Sequence, residues 1–88
     1  MISYEPLWNT LQKKNITKYQ LIYYWGISSN TLRRMGHGEA VNTTTLNELC
    51  LILDCSIPDI LDFNASEEEA LEIRERRAEI ASRKKRKK

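Results

Sequence analysis

The chain lacks most of what catalysis, metal binding or a secreted scaffold requires. It carries one histidine, His37, and two cysteines, Cys50 and Cys55. Two thiols are too few for a disulfide framework, and reduced cysteines fit a cytosolic chain. Two cysteines with one histidine make no sound zinc set, so no metal is expected. His37 lies between Gly36 and Gly38 with no acid or nucleophile at a signature spacing, so neither an enzyme nor a cofactor is expected. No stretch approaches the about 18 apolar residues of a membrane span. The opening MISYEP has neither the basic start nor the apolar run of a signal peptide, which also points to the cytoplasm.

What is present suits a small globular protein. With 88 residues, 41% hydrophobic and 30% charged, one domain at most is expected. A domain near about 60 residues buries only about 60% of its unfolded surface, so dimerisation would help it. The net charge of +2 hides an asymmetry. Residues 1–63 hold five basic and six acidic side chains, and residues 64–88 hold nine basic and six acidic ones. All five basic residues of the first part lie between Lys13 and Arg34.

One stretch organises the rest: residues 17–38, TKYQLIYYWGISSNTLRRMGHG. Thr17 is a good N-cap, and Leu21, Ile22 and Trp25 follow at i, i+1 and i+4. Gly26 reaches φ > 0 at no steric cost, which ends that helix at about residue 25 and turns the chain. Ser28 then caps a helix over about 29–37 whose inward positions are Leu32 and Met35. Its outward positions, Ser29, Asn30, Arg33 and Arg34, include no apolar residue and no acid. Two short helices joined by a glycine turn form a helix-turn-helix, whose second helix is shaped for the DNA major groove.

The flanking elements are also helical. Glu5-Pro6 opens a first helix over about 6–14 with Leu7, Trp8 and Leu11 as its apolar stripe, and Trp8 is expected to anchor the core. Tyr19, Tyr23 and Tyr24 beside Trp25 read as part-buried amphipathic rings rather than as a stacking platform for single strands. A loop at HGEAVN leads to a fourth helix over about 44–53, with Leu46, Leu49, Cys50 and Leu53 at i, i+3, i+4 and i+7. Ser56 and Pro58 suggest a short fifth helix with Ile57, Ile60, Leu61 and Phe63 as contacts. From Ser66 onward the chain is highly charged, acids first and bases last, as a helix dipole favours. Glu72 with Arg76 and Glu79 with Arg83 are well-oriented i, i+4 pairs, but the apolar positions keep no steady heptad. The expected division is therefore a domain at 1–64 and a charged, helical extension at 65–88. The basic end, 83–88, reads as a solvated tail, as a non-specific DNA arm, or as contact with some other anionic surface.

Residues 17–63 resemble the Cro and phage-repressor type (XRE-class) helix-turn-helix family of small bacterial and phage regulators. The resemblance rests on Leu21, Trp25, Gly26, Leu32 and Met35, the glycine loop at 36–38, and TLNELCLILDCSIPDIL. It implies an all-α, five-helix, lambda-repressor-like DNA-binding domain. It also implies roles: Lys18 on a phosphate, Ser28, Ser29 and Asn30 at phosphate and base edges, Arg34 one turn further along, and His37 with the Gly38 amide on the backbone. Thr31 and Arg33 join the backbone-contacting set, and Ser29, Asn30 and Arg34 form the base-reading set. Two positions depart from the pattern. Ile22 stands where a small residue is usual, and Glu39 stands where a base is common.

The implied chemistry is major-groove readout. Asn30 suits adenine and Arg34 suits guanine as bidentate partners, each discriminating by about 1–3 kcal/mol. The expected partner is double-stranded DNA, read as a homodimer with half-sites about 34 Å apart, with an interface at Ile60, Leu61 and Phe63. A membrane is not an expected partner. Repression by occupying a promoter needs no further domain. The alternative is a protein-binding module of antitoxin or anti-repressor type, using the charged extension as the segment that orders on a partner.

Overall fold

Side-chain caps set where the helices begin. The computed structural model describes residues 1–86 and contains a two-residue strand β1 (Ile2–Ser3), helices α1 (Glu5–Lys14), α2 (Lys18–Tyr23), α3 (Ser29–Gly36) and α4 (Thr43–Leu53), a 3₁₀ turn (Ile57–Asp59), strand β2 (Asp62–Phe63) and helix α5 (Glu67–Arg86). Thr17 and Gln20 form a reciprocal capping box at α2: Gln20 N donates to Thr17 Oγ1 at 3.1 Å, and Thr17 N donates to Gln20 Oε1 at 2.8 Å. Asn42 caps α4 by accepting from Thr45 N at 3.0 Å. Helices α1 and α4 end on the left-handed residues Asn15 and Asp54.

The core is Tyr4, Leu7, Leu11, Leu21, Ile27, Leu32, Met35, Leu49, Leu53 and Ile60. Most of these follow the helical spacing of the sequence; Tyr4 and Ile27 do not. Trp25 is a correction: it is 55% exposed and lies outside the core. Helix α2 stops at Tyr23, so position 25 is no longer one helical turn beyond Leu21. Gly26, at φ 74°, then redirects the chain. Ile27 drops into the interior instead, with its amide donating to Leu21 O at 2.9 Å. Trp8 is only half-buried, packed against the edge of the core.

The expected fifth helix of the domain is the 3₁₀ turn, and the fifth α-helix is α5. The backbone at 59–60 is committed elsewhere. Thr10 Oγ1 donates to Asp59 O at 2.6 Å, and Leu7 N donates to Ile60 O at 3.1 Å. These bonds pin the turn to α1, with Leu7 N shared between Ile60 O and the carbonyl of the N-cap residue Tyr4 at 3.0 Å. Beyond them the chain is extended, and β2 pairs antiparallel with β1, Ile2 opposite Phe63. Ile60 is fully buried and so cannot form the expected dimer contact; Leu61 is half-buried and Phe63 is exposed.

Candidate nucleic-acid interface

Helix α3 is held from behind and from its ends. Leu32 and Met35 bury its inner side. Ser28 Oγ accepts from Asn30 N at 3.1 Å and Thr31 N at 3.4 Å, fixing the helix start. At the other end Gly38, at φ 71°, lets the chain reverse, and Glu39 N returns to Arg34 O at 2.9 Å. With both ends fixed, Ser29, Asn30 and Arg33 stand exposed on the outer side, and Thr31 is half-buried.

The predicted residues fall into two groups. Lys18, Ser29, Arg33 and His37 line one shallow hollow with Ile22 and Gly36, where α2's first turn meets α3. Ile22 is half-buried there, so it fills the edge of the crossing. Lys18 Nζ lies 4.5 Å from the centroid of the Trp8 ring. That cation–π contact fixes the ammonium beside the hollow and gives Trp8 a task that its sequence position did not reveal.

Arg34 differs from the expectation. It is half-buried, and its guanidinium donates to Ala40 O at 2.6 Å, bracing the loop after α3. Asn30, one helical turn before Arg34, accepts at its Oδ1 from Arg33 Nη2 at 2.6 Å. One guanidinium hydrogen on Ala40 leaves Arg34 four others. Arg33 and Asn30 therefore make the exposed polar pair, and Arg34 sits towards the loop side.

The tyrosine expectation is corrected. Tyr19, Tyr23 and Tyr24 are 61–70% exposed rather than part-buried. They meet each other instead of the core, with Tyr19 and Tyr23 ring centroids 4.5 Å apart. Tyr19 and Tyr23, one turn apart on the outer side of α2, and Tyr24 at its C-cap all stay off the interior.

Among the described residues no group of three potential metal ligands comes together, and no helix is long and apolar enough to cross a membrane. Cys55 is half-buried. Burial, then the neighbouring Cys50, pushes its thiol pKa up, which opposes thiolate reactivity. Lys87 and Lys88, the last residues of the expected basic tail, lie outside the described residues.

These caps, the glycine turn and the outward α3 define a helix-turn-helix. The chain belongs to the Cro/C1-type HTH DNA-binding domain family, whose model matches residues 6–66. A solved structure, that of the transcriptional regulator VanUg, is similar to it: TM-score 0.67 and 31% identity, over 74% of this chain and 87% of that one. No curated protein matches the chain. The family and the solved neighbour support a DNA-binding regulator.

Proposed function

We propose that the protein is a sequence-specific repressor that enters the major groove of double-stranded DNA with α3 and works as a homodimer. In this reading Ser29, Asn30 and Arg34 face base edges, while Lys18, Ser28, Thr31, Arg33 and His37 hold phosphates. Residues 1–64 form the reading unit and 65–88 the extension. The observation that carries the proposal is the exposed, acid-free outer side of α3, flanked by Lys18 and His37 around one hollow. Backbone contacts of that kind position a domain, and base contacts give it sequence preference.

Selection from a random duplex pool, followed by binding titrations across a salt series, tests the proposal. An enriched site with two related halves supports it. Equal binding of enriched and scrambled duplexes overturns the sequence-specific part.

A second reading has its own support. The aromatic cluster on α2 and a 1–63 segment with five basic and six acidic side chains favour a protein partner of antitoxin or anti-repressor type. Failure to retain any duplex even at low salt would favour that reading.

A further inference from the structure

Helix α5 is the element the domain leaves uncovered. Every side chain from 71 to 84 is exposed. The molecule measures 59 × 23 × 22 Å. A 20-residue helix spans about 30 Å, so α5 accounts for much of the long dimension. Most helices in proteins draw their stability from a packed apolar face. On α5 the large apolar side chains are bare: Leu71, Ile73 and Ile80 are each about half exposed, with Ile73 and Ile80 on one side of the helix and Leu71 on the other. The first turns of α5 carry it onto the strand pair, where Phe63, Ala65, Ala70 and Ile73 line one hollow with Arg74 and Arg77. Local ion pairing supplies little. Of the two expected i, i+4 pairs, Glu79 with Arg83 forms, at 2.8 Å on the surface.

The charges on this helix indicate what covers it. Residues 67–75 hold five glutamates and one arginine; residues 76–86 hold six basic side chains and one glutamate. A second copy laid parallel would set like against like along the whole length. Laid antiparallel, each acidic half meets a basic half. The segregation is axial: on the side of Ile73 and Ile80 the acidic half offers Glu69 and the basic half Arg77 and Lys84.

We propose that α5 pairs antiparallel with α5 of a second copy, Ile73 and Ile80 between the helices and the acidic half of each along the basic half of the other. This moves the self-association surface from the buried Ile60 to the extension. It does not depend on the DNA reading, because association is measured without DNA.

Sedimentation of the full chain at tens of micromolar, from about 50 mM to about 500 mM salt, is the test. Wild type sediments as a dimer that weakens as salt rises. The variants Glu68→Lys/Glu72→Lys/Glu75→Lys and Arg76→Glu/Arg83→Glu/Lys84→Glu each sediment as monomers. An equimolar mixture of the two restores the dimer, which two misfolded variants would not do. A monomeric wild type, dimeric variants or a mixture that stays monomeric overturns the proposal. A disulfide joining two copies only when Lys84→Cys is introduced overturns the orientation, since that position lies one turn beyond Ile80 on the same side and a parallel pair alone brings it to its own copy.

Discussion

Arg34 has two demands on one guanidinium: the Ala40 carbonyl at 2.6 Å and, in the proposed complex, a base edge. Arg34→Ala should relax preference at one base position, a change of about 1–3 kcal/mol, and loosen the loop it braces. Lys18→Ala should weaken all duplexes alike and flatten the salt slope by about one unit. Titrating each variant against enriched and scrambled duplexes separates the two. Gly36 offers a contrast in stability. It is helical with open space where a Cβ would sit, so Gly36→Ala should stabilise by about 0.4–1 kcal/mol. Gly26, at φ 74°, should lose about 1–2 kcal/mol on becoming alanine, and thermal melts read both changes. The raised pKa of Cys55 has a defined sign. Its contribution to stability is full below the ordinary thiol range and is lost as pH rises through the raised value. Maleimide labelling of Cys55 at neutral pH should therefore be slower than that of a free thiol.

At the scale of elements, the local signals were legible and the non-local ones were not. Thr17, Ser28 and Asn42 cap where a reader of the sequence would place caps, because capping bonds span two or three residues. Ser66 and Glu69 form a further capping box, written in the sequence as S-E-E-E. The fifth helix was not legible as a 3₁₀ turn. Its form is set by Thr10 and Leu7, about 50 residues away, which claim the carbonyls of Asp59 and Ile60. Trp25 was misplaced because one early helix end shifts every later position off the apolar stripe. The site was legible as a set of residues, Lys18 to His37, but not in its pairings: Arg33 with Asn30 and Arg34 with Ala40 depend on side-chain packing. If the Thr10 bond holds the turn, Thr10→Val should cost about 0.5–1.5 kcal/mol in urea unfolding, with the near-isosteric side chain leaving the core filled.

For the whole molecule, the charge distribution matters more than the total. A net charge of +2 would steer the chain weakly towards DNA, yet the cationic groups of residues 1–63 are confined between Lys13 and Arg34. One such reading surface covers few base pairs, so a dimer is the natural unit for a specific site. The proposed pairing through α5 would supply that dimer from the opposite charges at the two ends of the extension. The family assignment establishes a DNA-binding domain; that the outer side of α3 reads the bases is the proposal.

The most direct test of that claim is an anisotropy titration of wild type and Asn30→Ala on the enriched duplex and on single-base variants of it. The account predicts that wild type prefers the enriched duplex by at least about tenfold over a scrambled one, and that Asn30→Ala loses its preference at one A·T pair while keeping the others. Wild type binding all duplexes equally, or Asn30→Ala retaining the full preference at every position, would contradict it.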